Sequence, residues 1–242
     1  MPSGPILTGG ASGATLRLGV AKFGPGAIGA RVAAQGVWLK AHQDIPCLPR
    51  VAVSWPAGYV MEPLEPIDWS TVDYEAHIVE AVDVLGQVWS RPGCPLDIDA
   101  HLAFVRSRCG SVPDLWPALE AWAHDLEWPA PTLIHGDPTF VNQVRRQTDL
   151  VFLDPNPGSP VNPSVRAQDL AHLAQSLHGY ETIKFGWPRP SLPVEALRKH
   201  TDGDAEWDVV RYLTAVKFVR LLAYEPRQSP FAELAARLVA AR

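Results

Sequence analysis

Three oxygen-bearing side chains in one short stretch have the types and spacing that metal-assisted chemistry needs. Asp137 follows the dipeptide His135-Gly136, Asn142 comes five residues later, and Asp154 stands twelve residues further on, after the apolar run 150–153. Mg²⁺ binds hard oxygen ligands and usually takes one or two protein groups together with substrate phosphates. Asn142 and Asp154 are therefore candidate magnesium ligands, and Asp137 can accept a proton from an attacking hydroxyl group.

Asp and Asn are also common in turns, so a strand–turn–strand without chemistry is the alternative interpretation of this stretch. A lone D-x-x-x-x-N would favour the turn. The complete string, with His-Gly before the first Asp and an apolar run before the second, is more specific. It matches a loop in which one Asp acts as base while an Asn and a later Asp bind magnesium during phosphoryl transfer. We therefore favour the functional interpretation.

The elements that must position these residues fall into a strand-rich N-terminal part and a helix-rich C-terminal part. Short apolar runs between turns predict strands at Thr15–Leu18, Val20–Phe23, Val51–Val53 and Tyr59–Met61, and three more at 132–134, 141–144 and 150–154. The sequence also predicts a helix over 31–43 and a linker over 62–66. Apolar spacings of three and four predict four more helices. One starts at a Ser70/Asp73 capping pair, and the others cover 113–126, 166–180 and 204–224.

The composition limits the class of protein. With 47% apolar and 19% charged residues, the 242-residue chain is not disordered. No stretch approaches the roughly 18 consecutive apolar residues of a membrane helix, and the N-terminal residues lack the pattern of a signal peptide. The net charge of −5 argues against nonspecific nucleic-acid binding. The three cysteines, Cys47, Cys94 and Cys109, have no metal-binding spacing and predict a reducing, cytoplasmic location.

The catalytic-loop string resembles that of the aminoglycoside phosphotransferase and choline-kinase-like family, which has the protein-kinase-like fold. That family has a His-Gly-Asp-x-x-x-x-Asn loop, a following Asp and a later Asp-Leu-Ala segment, which is matched here by Asp169-Leu170-Ala171. The resemblance is strongest over 131–181 and also covers 14–66. It implies an α+β, two-lobed fold with a shortened, strand-rich N-lobe (1–64) that covers a nucleotide. The helical C-lobe (65–242) would carry the catalytic loop, the metal site and the substrate side.

The resemblance implies a role for each matched residue of the C-lobe. Asp137 would be the catalytic Asp, Asn142 and Asp154 would bind Mg²⁺, and His135 would order the loop. Asp169 would anchor the loop or cap its helix, and a plain charge at a helix N-terminus is an equal alternative. Other histidines have no partner at a ligand spacing and are interpreted as structural: His77, His101, His124, His172 and His178.

In the N-lobe the resemblance implies three contacts with the nucleotide. Lys22 would bind the α and β phosphates, and an ordinary edge-strand lysine is the alternative. Met61, in the hinge segment 59–62, would line the adenine site or, alternatively, fill the core. A glycine-containing loop would cover the phosphates through its backbone N–H groups, or form a plain flexible turn. The residues of that loop are Gly9, Gly10, Ser12 and Gly13.

The N-lobe departs from the family pattern at Gln35, which stands where the family has a Glu that pairs with the Lys. A neutral amide could hold Lys22 by a hydrogen bond, but without the ion pair.

Three hypotheses for the function follow. The resemblance implies a phosphotransferase that moves the γ-phosphate of ATP or GTP to a hydroxyl group of a small molecule, with Mg²⁺ as the metal. A kinase-like protein that binds a nucleotide or metabolite without turnover is the alternative, and a resistance enzyme for a cationic antibiotic is the third. No nucleic-acid or membrane partner is expected, and the oligomeric state is open.

Overall fold

The computed structural model of the chain describes residues 13–16, 19–158, 163–222 and 230–242. These residues form two compact units, each of which is described by itself. The first unit contains the described residues up to Thr71 together with Phe140–Asn156, and the second contains Val72–Thr139 and the described residues from Pro157 onwards. The segment Phe140–Asn156, which begins within the His135–Asn142 loop, therefore belongs to the first unit, and the lobe boundary near residue 64 stays a prediction.

The first unit contains two antiparallel sheets, with the strand orders β1-β2-β4-β3 and β5-β6-β7. Helix α1 (Gly26–Ala41) packs against β2, β3 and β4. The strands are β1 (Gly13–Leu16), β2 (Gly19–Phe23), β3 (Val51–Trp55), β4 (Gly58–Met61), β5 (Glu65–Pro66), β6 (Gln143–Arg146) and β7 (Asp149–Phe152).

A glycine sets how closely α1 lies on the sheet. A Cβ atom placed on Gly36 would lie 2.8 Å from Cδ1 and 2.9 Å from Cβ of Tyr59, which is closer than real Cβ contacts. Any larger residue would push α1 away from β4. The glycine therefore holds α1, which carries Gln35, against the strand that carries Tyr59.

The second unit is helical. Its central helix α5 packs against α7, which also packs against α8. The helices are α2 (Tyr74–Trp89), α3 (Ile98–Arg108), α4 (Trp116–Asp125), α5 (Arg166–Leu177), α6 (Tyr180–Phe185), α7 (Asp204–Leu221) and α8 (Pro230–Ala240). None of the helices in the described residues is both long and apolar enough to cross a membrane.

Helix α5 is unusual because it is buried without being apolar. Every residue of α5 after Arg166 is buried. Buried polar groups need hydrogen-bond partners inside the protein, so the polar side chains of α5 must be matched by groups on its neighbours. Those side chains are Gln168, Asp169, His172, Gln175 and Ser176.

The predicted helices are present with shifted ends, and the predicted capping pair is wrong by one turn. Asp73, not Ser70, caps α2, because its carboxylate accepts hydrogen bonds from the backbone N–H groups of Glu75 at 3.0 Å and Ala76 at 3.3 Å. Helices α3, α6 and α8 were not predicted. The α8 segment has an apolar spacing typical of a helix, with Phe231 and Leu234 on its buried face.

The strands predicted around the polar loop are only partly present. Residues 132–134 form no strand, and Thr132 makes only an isolated bridge to Pro92. The strand predicted at 141–144 begins at Gln143, because Phe140–Asn142 form one 3₁₀ turn. The strand predicted at 150–154 is present as β7.

Candidate active site

The β6–β7 hairpin of the first unit brings the two candidate magnesium ligands to the same end. Gln143 pairs with Phe152 in the antiparallel ladder, and the N–H of Leu153 donates to the carbonyl oxygen of Asn142 at 2.7 Å. Asn142 therefore directly precedes β6, and Asp154 follows β7 at the same level. An amide oxygen and a carboxylate are ligands that suit Mg²⁺ when phosphates supply the others. The described residues contain no group of three or more His, Cys, Asp or Glu side chains suited to a metal ion.

Asp154 has a left-handed backbone, with φ of 59°. Asp adopts this region more readily than most residues, and residues held in sparsely populated regions cluster at functional sites. Its carboxylate forms an ion pair with Lys22 Nζ. The side chain of Lys22 is 9% exposed and that of Asp154 is 27% exposed, so the carboxylate is the more accessible partner.

Gln35 contacts both Lys22 and the segment that follows Asp154. Its Oε1 accepts a hydrogen bond from Lys22 Nζ at 3.4 Å, and its Nε2 donates one to the carbonyl oxygen of Pro155 at 3.1 Å. The hydrogen bond expected from the sequence is therefore present. Lys22 lies on β2, which has β1 on one side and β4 on the other. The alternative interpretation of Lys22 as an edge-strand lysine is therefore wrong.

Tyr59 faces the same group of side chains. It lies directly opposite Lys22 in the β2–β4 register, and burial, assisted by the negative charge of Asp154, raises the pKa of its hydroxyl group. That hydroxyl is buried and has no hydrogen-bond partner among the described residues. Burying a polar group without a partner costs free energy.

The remaining nucleotide contacts expected from the sequence stay predictions. Met61 is buried on β4 opposite Val20 and Val51, where it packs in the core. Gly13 is the first residue of β1. Three residues of the predicted glycine loop, Gly9, Gly10 and Ser12, lie outside the described residues.

In the second unit, Asp169 anchors the start of the catalytic loop. Its Oδ2 accepts hydrogen bonds from Trp89 Nε1 at 2.9 Å and from the N–H of His135 at 3.0 Å, and its Oδ1 accepts one from the N–H of Gly136 at 2.7 Å. Burial raises the pKa of Asp169 to about 6, although these hydrogen bonds oppose the shift. The anchoring role is therefore confirmed by the geometry. Capping of α5 is wrong, because these three donors lie outside that helix.

The anchored loop presents Asp137. The ring of His135 is fully buried, and its Nδ1 accepts from the N–H of Asp137 at 3.4 Å, as expected of a residue that orders the loop. Oδ1 of Asp137 accepts a hydrogen bond from Thr139 Oγ1 at 3.2 Å and lies 3.3 Å from Nδ1 of His172. The side chain of Asp137 is 37% exposed, so its carboxylate is accessible from solvent.

Lys217, on α7, is a buried lysine near the same carboxylates. It is 3% exposed. Burial, followed by the positive charge of Arg220, lowers the pKa of Lys217 well below its usual value, whereas Asp137 and Asp169 oppose this shift. Both carboxylates therefore lie within electrostatic range of the lysine.

Comparisons with known proteins find similar structures but no similar sequences among the family models and curated proteins. A choline/ethanolamine kinase family protein from Mesorhizobium loti matches with a TM-score of 0.61 at 13% identity, over 96% of this chain and 84% of that one. An ADP-bound aminoglycoside phosphotransferase matches with a TM-score of 0.54 at 12% identity, over 100% and 91%. A glucosamine kinase bound to glucosamine, ADP and inorganic phosphate matches with a TM-score of 0.55 at 17% identity, over 93% and 75%.

The chain has the protein-kinase-like fold. The resemblance seen in the sequence is thus confirmed at the level of the fold, as is the α+β architecture with few strands and a helical C-terminal part. The roles of Asp137, Asn142, Asp154 and Lys22 remain predictions from the sequence.

Sequence reasoning missed two residues beside Asp137. His172 was interpreted as structural, although it stands three residues after Asp169, on the same helix. Lys217 interrupts the apolar run 215–219, and a single lysine in such a run is a signal that could have identified it.

Proposed function

We propose that this protein transfers the γ-phosphoryl group of ATP or GTP to a hydroxyl group of a small molecule. The observation that carries this proposal is the catalytic loop, in which Asp169 holds His135 and Gly136 and thereby presents a partly exposed Asp137. The protein-kinase-like fold supports the proposal, because similar structures include small-molecule kinases with ADP bound.

The chain's own residues have separate tasks in this transfer. The acceptor oxygen forms a bond to the γ-phosphorus, the bond from that phosphorus to the β–γ bridging oxygen breaks, and the acceptor's proton passes to Asp137. The nucleoside diphosphate is the leaving group. Phosphoryl transfer depends mainly on positioning and charge stabilisation, and the anchored loop supplies the positioning of Asp137.

The first unit would hold the nucleotide. Asn142 and Asp154 would bind Mg²⁺, which neutralises charge on the phosphates when it is bound. Lys22 would bind the phosphates, and its ion pair with Asp154 keeps the ammonium group beside the candidate metal ligands. Gln35 would hold Lys22 beside Asp154, because Gln35 Oε1 accepts a hydrogen bond from Lys22 Nζ.

A kinase-like protein that binds a nucleotide without turnover is the second candidate. The neutral Gln35 in place of an acidic partner of Lys22 favours it. The presence of Asp137, Asn142 and Asp154 favours the phosphotransferase.

Acceptor screening tests the proposal. Similar solved structures include an ethanolamine kinase, a glucosamine kinase and aminoglycoside phosphotransferase complexes with gentamicin and streptomycin, so we propose amine-bearing alcohols as the first acceptors. ADP release and phosphorylated product would be measured with each acceptor, with glucose as the amine-free control for glucosamine. We expect acceptor-dependent turnover that falls about 10²- to 10⁴-fold in Asp137→Asn. Nucleotide binding without turnover by any acceptor would support the second candidate instead.

A further inference from the structure

His172 lies deep in α5, yet its imidazole faces the candidate catalytic carboxylate. The residue is 6% exposed, and its Nδ1 lies 3.3 Å from Oδ1 of Asp137. The side chain of Gln175 is within hydrogen-bonding range of the ring, but neither ring nitrogen meets the geometry of a well-formed hydrogen bond among the described residues. A buried nitrogen of this kind needs an explanation, and catalytic hydrogen bonds are often long before substrate binds.

Two donors approach the same oxygen of Asp137. Thr139 Oγ1 donates to Oδ1 at 3.2 Å, from two residues further along the loop. His172 approaches Oδ1 from α5. Contacts from two directions on one oxygen fix the rotation of the carboxylate and therefore the direction of its other oxygen.

The surroundings of His172 favour the neutral form of its ring. Burial lowers the pKa of His172 well below its ordinary value, and the positive charges of Lys217 and Arg220 on α7, followed by His135 on the loop, lower it further. A side-chain hydrogen bond with Gln175, one turn further along α5, opposes this shift. A neutral imidazole has one N–H. That N–H belongs on Nδ1, because a lone pair there would face the carboxylate oxygen.

We infer that His172 is a positioning residue for Asp137, and that its neutral ring donates an Nδ1–H hydrogen bond to Oδ1. This inference rests on the proposed function, in which Asp137 accepts the proton of the acceptor hydroxyl group. A neutral donor orients a carboxylate while lowering its basicity less than a cationic donor would. His172 therefore fixes the direction of the base and leaves its affinity for a proton largely intact.

The first test does not depend on turnover. Long-range ¹H–¹⁵N spectra of histidine-labelled protein report the tautomer of each ring, and His172→Asn identifies the signals of His172. We expect the neutral Nδ1–H tautomer at neutral pH, with a changed Nδ1 shift in Asp137→Asn. An Nε2–H tautomer would overturn the inference. So would an Nδ1 chemical shift of His172 that is the same in wild type and in Asp137→Asn.

The second test separates positioning from packing. In His172→Asn the side-chain amide nitrogen can take the place of Nδ1, whereas in His172→Gln it falls nearer to Nε2. We expect kcat to fall about 10- to 100-fold in His172→Ala and His172→Gln, with unchanged KM for the nucleotide, and to recover largely in His172→Asn. His178→Asn, at the C-terminal cap of the same helix, is the matched control and should keep the wild-type kcat.

The outcomes distinguish the inference from the proposed function. Equal kcat in the Asn and Gln variants, or losses that follow the melting temperature alone, would overturn the positioning role. If His172→Ala does not fold, the comparison of the Asn and Gln variants decides the question. A wild-type protein with the Nδ1–H tautomer but no turnover would contradict the proposed function. An active enzyme with the Nε2–H tautomer would contradict the inference alone.

Discussion

The side-chain amide of Gln35 donates a hydrogen bond of 3.1 Å to the carbonyl oxygen of Pro155, the residue that follows Asp154. The same side chain accepts from Lys22 at 3.4 Å. A glutamate could accept from the lysine but, when ionised, could not donate to the carbonyl. Gln35 therefore fixes two parts of the candidate nucleotide site at once, which a glutamate at this position would not do.

Gln35→Glu should therefore weaken the first unit, although it supplies the charge that the family pattern has. The ionised carboxylate would face the Pro155 carbonyl, and we expect a loss of about 1–3 kcal/mol of unfolding free energy. Thermal melting measures it, at about 2–4 °C per kcal/mol for a chain of this size. Gln87→Glu, exposed on α2, controls for the change in net charge. A Gln35→Glu variant as stable as wild type would show that the hydrogen bond to Pro155 contributes nothing.

Trp89→Phe should loosen the catalytic loop in a pH-dependent way. Because the folded-state pKa of Asp169 is raised from 3.8 to about 6, its protonation favours folding, and this contribution is lost as the pH rises through about 6. The indole N–H favours the ionised form. The variant should therefore be less stable than wild type by about 1.5–3 kcal/mol above pH 6, and the difference should shrink as the pH falls.

Denaturant unfolding between pH 5 and pH 8 measures this dependence. Trp122→Phe removes a similar buried indole from α4 without a bond to Asp169, so its deficit should stay constant across the same range. A constant deficit for Trp89→Phe would contradict the assigned role of its N–H group.

Tyr59→Phe should stabilise the protein. The hydroxyl group of Tyr59 is buried without a partner among the described residues, so its removal should raise the unfolding free energy by about 1 kcal/mol. Tyr212→Phe is the matched control, because the Tyr212 hydroxyl lies 3.1 Å from His101 Nε2. Thermal melting should show a rise for the first variant and a fall for the second. A fall for both would indicate that the Tyr59 hydroxyl has a partner in solution.

Arg146→Lys should destabilise the first unit. The guanidinium group of Arg146 donates to the carbonyl oxygens of Pro46 at 2.8 Å and Leu48 at 2.9 Å, and to Glu62 Oε1. A lysine has no planar fork and cannot reach three separate acceptors, so we expect a loss of about 2 kcal/mol. Arg145→Lys, next to it on β6, is the control.

The pH dependence of this loss follows from Glu62. Burial opposes ionisation of Glu62, but the hydrogen bonds and charges of Arg146 and Arg50 hold its pKa below the ordinary value of 4.5. A lowered folded-state pKa contributes stability that is present above pH 4.5 and lost as the pH falls through the folded-state value. The difference between wild type and Arg146→Lys should therefore narrow in acid. A difference that widens would contradict the ion pair.

The local parts of the candidate site could be predicted from the sequence. Asp137, Asn142 and Asp154 stand in one short string whose residue types and spacing predict their chemistry. Asp169 lies in the Asp-Leu-Ala segment that the family pattern also contains. His172 and Lys217 could not be predicted in the same way, because their relation to Asp137 depends on how α5 and α7 pack. A periodic pattern identifies a helix but not its partner.

The secondary-structure elements of the fold were also predicted in part. Most helices with strong apolar spacing were predicted, although α8 was not. Helix α3, which has only three buried residues, His101, Leu102 and Val105, was also missed. The capping pair at Ser70 and Asp73 was misplaced because both residue types can cap a helix. The position of residues 140–156 in the first unit depends on the pairing of β5 with β6, which joins segments far apart in the chain.

The most direct test of the account is the melting temperature with and without Mg-ATP and Mg-GTP, because it needs no knowledge of the acceptor. A ligand present at 100 times its Kd should add about 2.7 kcal/mol of stability. We predict a magnesium-dependent rise in wild type that is lost in Asp154→Ala and kept in Asp149→Ala, an exposed carboxylate of the same hairpin. A rise that does not require magnesium, or no rise with either nucleotide, would contradict the proposal that Asn142 and Asp154 hold a metal–nucleotide complex.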